Sequence, residues 1–416
     1  MRVFDPTAEF AEIREGVGRV CADFPGAYWR ELDAKRAYPK EFVDALIREG
    51  YLAAMIPEEY GGSGLNLFAA AVILEEIHRN GCNAAACHAQ MYTMGTVLRH
   101  GSEAQKAAYL PEIAAGRLRL QAFGVTEPTS GTDTLSLRTT AVRQGDRYVV
   151  NGQKVWTSRA EHSDLMLLLA RTTPKEQVEK KGEGLSVFLV DMREALGRGL
   201  TIRPIRTMMN HATTEVFFDN LEIPADSLVG EEGKGFRYIL SGMNAERILI
   251  AAECIGDARY FIEKAVAYAK DRVVFGRPIG ANQGVQFPIA TCYAETHAAA
   301  LAVKLAADGF HQLDLPLAAD PVIGCPEGLA VSAHLRLRRV HTLLVQPFTK
   351  PQIHPLGDQI QFYQPPESIQ QVIGEPFDHF WKDAVDVVIA PGHAGRGVQI
   401  GQQKFQTMVI ARMLIQ

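Results

Sequence analysis

Between Arg138 and about Pro224 the chain changes its repeat, and that change restricts the folds open to it. On either side apolar residues recur at helical spacing, whereas inside it short aliphatic and aromatic runs alternate with turn residues. RTTAVRQGDRYVVNGQKVWTS carries turn signals at Gly145-Asp146 and Asn151-Gly152, and DLMLLLAR, LSVFLVDM, LTIRPI and EVFFDNLEI read as further strands. Lys175 to Gly184, KEQVEKKGEG, is a charged surface excursion between two of them. The expectation is an α+β chain whose small antiparallel β-domain, a barrel or closed sandwich, lies between helical domains.

The helical stretches have their own punctuation. Phe42, Val43, Leu46 and Ile47 share a face after Pro39, and Gly50 stops that helix. Helices are predicted over Leu67 to His78 and Ala84 to His100, and Ser102 with Gln105 reads as a capping box opening another. His78, His88 and His100 read as packing or surface residues rather than ligands. From Gly233 to Arg272 no proline interrupts the pattern, so one long helix is expected. Ile239, Met243, Glu246 and Ile250 fall on one side of it, which puts a carboxylate on or beside an apolar stripe. Arg247 and Arg237 are its candidate partners, while Glu253 stands two turns on and Asp257 further. A second helix is expected from Gln283 to Leu305.

Composition excludes some functions. A net charge of -5 with no long basic run gives no case for nucleic-acid binding. The N-terminus lacks a secretory layout, and no apolar stretch reaches membrane length. Cys21, Cys82, Cys87, Cys254, Cys292 and Cys325 are scattered without metal-ligand spacing, which suits a reducing cytoplasm and suggests no metal site.

The most pointed stretch is Gly124 to Ser136, GVTEPTSGTDTLS. Pro128 and Gly131 deny it a regular helix, and its hydroxyls compete for backbone partners, so it is read as a folded loop. Thr126, Ser130 and Thr132 offer donors and acceptors to a flat heteroaromatic ring. Its order of small, aliphatic, hydroxyl and acidic positions resembles the first signature of the acyl-CoA dehydrogenase family. EEYGGSG, YLPEIAAG, NGQKVWTS, FFDNLEIP, GEEGKGF, and RVVFGRPIG followed by Gln283 stand in the family's order and spacing. The resemblance covers about residues 1–305.

That resemblance implies an N-terminal helical domain over 1–119, a middle β-barrel domain over 120–231 and the first helices of a C-terminal bundle over 232–305. It also implies FAD as cofactor, acyl-CoA as substrate and a place in fatty acid metabolism. Electron-transfer flavoprotein is the implied acceptor, and a homotetramer the implied assembly. Phe123, Val125, Thr126, Gly131 and Thr132 match the segment lining the flavin, with Thr132 also near the substrate thioester. Trp156, Thr157 and Ser158 match the triplet facing the flavin, although Arg159 follows where an Asn is frequent. Arg272, Phe275 and Gln283 match contacts to a neighbouring subunit's FAD. Glu246 matches the base that takes the α-proton, and Asn244 and Arg247 match residues that position substrate.

Beyond about Leu305 the resemblance is expected to end. Ten of the 21 prolines crowd the last 111 residues, 306–416, and suggest a replaced segment or a reading-frame change there. Two further readings follow: an inactive or truncated relative, and a same-fold flavin oxidase or monooxygenase.

Overall fold

A computed structural model describes residues 9–312 of the 416. The expectations for the proline-rich tail therefore lie outside the described residues. The chain begins with six helices: α1 (Ala11–Ala22), α2 (Gly26–Lys35), α3 (Lys40–Arg48), α4 (Leu67–Arg79), α5 (Ala89–His100) and α6 (Glu103–Ala114). Asn66 caps α4 by accepting from the Ala69 N–H at 2.9 Å, and Ser102 and Gln105 form the expected capping box on α6. The single helix expected over Ala84 to His100 is instead broken. Asn83 Oδ1 takes the Ala85 N–H at 2.8 Å and His78 Nε2 the Ala84 N–H at 3.1 Å. These side chains hold Ala84–Ala86 as a 3₁₀ turn, and α5 starts only at Ala89.

The middle of the chain forms β1 (Leu120–Gly124), β2 (Thr140–Gln144), β3 (Arg147–Ser158), β4 (Leu165–Arg171), β5 (Leu185–Asp191), the short α7 (Met192–Ala195), β6 (Leu200–Pro204), β7 (Thr213–Pro224) and β8 (Leu228–Val229). The sheet runs β6-β7-β3-β2-β4-β5-β8, with β1 beside β4. It is neither closed nor purely antiparallel, which corrects the barrel expected from the alternating pattern. β6 and β8 end the path without pairing to each other, and β4 runs parallel to both β1 and β2.

β4 explains how the sheet joins the helices. All seven of its residues are buried. Leu165, Leu167 and Leu169 pack toward Met94, Val97 and Leu110 of the helices, while Met166, Leu168 and Ala170 pack against Tyr148, Phe188 and Val216 within the sheet. A strand covered on both sides reads as a continuous apolar run because its period of two is satisfied by two cores.

After the sheet come α8 (Gly235–Asp271), a hairpin of β9 (Val273–Val274) and β10 (Arg277–Pro278), and α9 (Gln283–Gln312). α9 runs past Leu305, where the sequence reading had ended it. α8 has 37 residues and is about 55 Å long at 1.5 Å per residue. It leans on α4 so closely that a Cβ at Gly256 would lie 2.2 Å from the Glu75 carbonyl oxygen and 2.7 Å from His78 Cβ. Gly256→Ala is therefore expected to force the two helices apart and cost about 1–3 kcal/mol, read as a lower urea midpoint with unchanged slope. An unchanged midpoint would mean that the contact is looser than described. Buried Arg14 of α1 reaches Glu75 at 3.0 Å and Glu76 at 3.3 Å, and Arg259 of α8 also pairs with Glu75. This network links α1, α4 and α8.

Candidate active site

The end of β3 is shaped by a bulge. Its register against β7 shifts between Lys154 and Thr157, and Trp156 sits there at φ 60°. A bulge re-aims a side chain, and Trp156 is 60% exposed although it lies within a sheet strand. Thr157 is buried, with an Oγ1 that has no partner among the described residues. Ser158 Oγ accepts from Asn210 Nδ2 at 3.0 Å. The Val155 N–H donates to the Thr126 carbonyl at 2.9 Å, which attaches the Gly124–Ser136 loop to this strand.

The loop is held from below by a buried ion pair. Glu127 accepts from Lys154 Nζ at 2.9 Å and from the N–H groups of Arg138 and Thr139 at 2.6 and 2.9 Å. Lys154 is fully buried and also donates to the Val125 carbonyl at 3.1 Å. Burial lowers the Lys154 pKa to about 8, against the pull of Glu127. Burial opposes ionisation of Glu127, but Lys154 and the two N–H groups outweigh it and hold the carboxyl below its ordinary value. The pair leaves Val125 buried, Phe123 and Thr126 half-buried, and Gly131 and Thr132 exposed. An exposed indole face, hydroxyls beside it and an orphaned Thr157 Oγ1 fit a flat heteroaromatic ring that makes hydrogen bonds.

Glu246 is half-buried on α8. Neither Arg247 nor Arg237 forms a salt bridge with it among the described residues, contrary to the sequence reading. Arg247 Nη1 instead donates to Asn244 Oδ1 at 2.7 Å, with both residues exposed. Burial raises the pKa of Glu246, and Arg159, Arg247 and the Tyr92 hydroxyl offset part of the rise. Glu253 lies seven residues on and therefore on the same face. It meets His88 Nδ1 at 2.6 Å and His78 Nε2 at 3.6 Å, while His78 Nδ1 meets Asp257 at 2.9 Å. Burial resists ionisation of Glu253, yet His88, His78 and Arg159 hold its pKa below the ordinary value. Burial also lowers the His88 pKa.

Tyr92, Arg159, Glu253, His88 and Lys154 join the site although the sequence alone assigns none of them a role in it. Glu253 had a signal in its spacing from Glu246; the others arrive from distant positions in the chain. Arg272 caps the C-terminus of α8, Phe275 lies in the β9–β10 turn and Gln283 opens α9; all are exposed, with Phe275 entirely so at φ 52°. No hydrogen bond or ion pair among the described residues joins them to the Trp156 triplet.

Three family models match the chain in order. These are the acyl-CoA dehydrogenase N-terminal domain over residues 7–117, the middle domain over 122–221 and the C-terminal domain over 233–323. The last extends past residue 305, so the resemblance continues beyond the point where proline content suggested it stopped. A cyclohex-1-ene-1-carbonyl-CoA dehydrogenase of Syntrophus aciditrophicus is 35% identical over 278 residues, 66% of this chain and 66% of the relative. An acyl-CoA dehydrogenase of Bacillus subtilis is 36% identical over 276 residues, 65% of this chain and 71% of the relative. The solved structure of a glutaryl-coenzyme A dehydrogenase with glutaryl-CoA superposes with a TM-score of 0.68 at 31% identity, covering 74% of this chain and 78% of that one. Because helical, sheet and helical parts match in the family's order and at this identity, the chain belongs to the acyl-CoA dehydrogenase family.

Proposed function

We propose that the chain oxidises an acyl-CoA thioester between its α and β carbons, with Glu246 as the base for the α-proton. The observation that carries this reading is Glu246 itself, a carboxylate on the central helix whose pKa burial raises. A raised pKa makes it a stronger acceptor for a carbon-bound proton. Phe123, Val125, Thr126, Gly131, Thr132 and the Trp156–Ser158 triplet are the residues that would hold FAD, which supplies the hydride acceptor when bound. Asn244, Arg247 and Thr132 would position the thioester. Arg272 suits a pyrophosphate because its guanidinium presents a fixed fork of donors. It would serve a neighbouring subunit's FAD, together with Phe275 and Gln283.

A homo-oligomer, most simply the tetramer, is supported by exposed apolar side chains on α8, the hairpin and α9. Phe261, Tyr268, Val273, Phe275, Phe287 and Tyr293 are each more than half exposed. Five cysteines among the described residues are free thiols, which supports a reducing cytoplasm. No helix among the described residues is long and apolar enough to cross a membrane. Domain limits of 1–119, 120–231 and 232–305 follow the change from helix to sheet and back among the described residues.

The acceptor is tested by mixing FAD-loaded protein with an acyl-CoA and either electron-transfer flavoprotein or air. Fast reduction of the flavoprotein and slow oxygen uptake are expected. Stoichiometric peroxide without the flavoprotein would make the chain a same-fold oxidase. The anaerobic half-reaction should also quicken with pH, because the ionised carboxylate takes the proton. Its midpoint is expected above the ordinary glutamate value of 4.5. A midpoint at or below that value would contradict a desolvated base.

A further inference from the structure

A buried guanidinium with no ion pair among the described residues stands where β3 ends. Arg159 is 5% exposed and turns the chain at φ 63°. Its Nη1 donates to the Ala85 carbonyl, its backbone N–H donates to the Ala212 carbonyl at 2.6 Å, and its Nε has no partner among the described residues. The broken helix before α5 is what leaves the Ala85 carbonyl available.

Two carboxylates of α8 lie within electrostatic reach, Glu246 and Glu253. Neither forms a salt bridge with Arg159. Glu253 is already engaged by His88 at 2.6 Å, and no hydrogen bond joins Glu246 to Arg159 among the described residues. The Arg159 guanidinium therefore has carboxylates near it but no side chain among the described residues in hydrogen-bonding contact with it. A charge in that position is costly to bury unless an anion arrives with the ligand.

We propose that Arg159 receives an anionic group carried on the acyl chain, and that the preferred substrate is an acyl-CoA with a carboxylate on that chain. The proposal rests on Glu246 being the base. A base must touch the α-carbon, so a charge beside it meets the acyl part of the ester, whereas the phosphates of coenzyme A lie at the far end of the pantetheine arm. A carboxylate matches the guanidinium because planar donors and planar acceptors pair with charge assistance. The Tyr92 hydroxyl, which also lies against Glu246, adds a polar group to the same neighbourhood.

The test uses FAD-loaded protein and thioether analogues of coenzyme A, which cannot be oxidised. Each ω-carboxyalkyl thioether is paired with an alkyl thioether of equal length, across a series of lengths, and binding is read by calorimetry. At the best length the carboxylate is expected to bind about tenfold to a hundredfold tighter, as for a hydrogen bond between charged groups. Arg159→Met should erase that preference and Arg159→Lys restore part of it. Equal binding of each pair by the unaltered protein overturns the anion receptor and leaves the dehydrogenase reading standing. Equal weakening of both analogues by Arg159→Met also overturns it, since Arg159 would then act on the shared part of the ligand. If no analogue binds and no acyl-CoA bleaches the flavin, both readings fail together.

Discussion

Glu246→Gln is expected to slow anaerobic flavin bleaching by an acyl-CoA roughly 10²–10⁴-fold, the usual contribution of a positioned base. The change preserves size and removes the carboxylate. Its neighbours make the outcome specific to the proton. Ala245 and Leu249 anchor that turn of α8 in the core, so the helix should keep its place. Tyr92 sits beside Glu246 but cannot replace it, because burial raises its pKa out of the working range. Glu253 and Asp257 are the further carboxylates on this face, and their contacts with His88 and with His78 Nδ1 keep them from the role. Flavin should remain bound in the variant. Bleaching as fast as in the unaltered protein would mean that the proton goes elsewhere.

The second large effect concerns stability. Lys154→Met leaves the Glu127 carboxylate buried beside an apolar side chain, with only the Arg138 and Thr139 N–H groups to satisfy it. Breaking a buried pair by removing one partner costs about 3–5 kcal/mol. The loss should fall on the Gly124–Ser136 loop first, because Glu127 is its link to β3 and to the start of β2. The expected readings are a lower denaturation midpoint and weaker retention of FAD. Adding Glu127→Gln to Lys154→Met removes the stranded charge but keeps an acceptor for only one of the two N–H groups, since each is held by a different carboxylate oxygen, and should recover part of the loss. If Lys154→Met alone leaves both readings unchanged, the pair does not support the loop.

The fold was legible where one period governs a whole element. The stripe through Ile239, Met243, Glu246 and Ile250 announced α8, and the Ser102–Gln105 box announced α6. Closure of the sheet was not legible, because alternation reports that a strand has two faces and says nothing of which strands end the sheet. The break before α5 was also hidden: it depends on His78 Nε2 reaching Ala84 from the preceding helix. The site divided in the same way. Glu246 and the Trp156 triplet could be found from spacing and resemblance. Arg159 was noticed only as an odd neighbour of Ser158, because its nearness to Glu246 is created by folding. Tyr92 and His88 come from α5 and the turn before it, and Glu253 from α8, so no local pattern joins them. The bulge that exposes Trp156 likewise arises from pairing with β7.

The account stands most directly on one spectrum. Protein reconstituted with FAD is freed of oxygen and mixed with a series of acyl-CoA esters, and the visible flavin band is followed. The account predicts that the band bleaches with at least one ester, in proportion to the ester added, and that a 2,3-unsaturated acyl-CoA appears in equal amount. FAD that binds firmly but keeps its full colour with every ester, neutral or carboxylated, would contradict it.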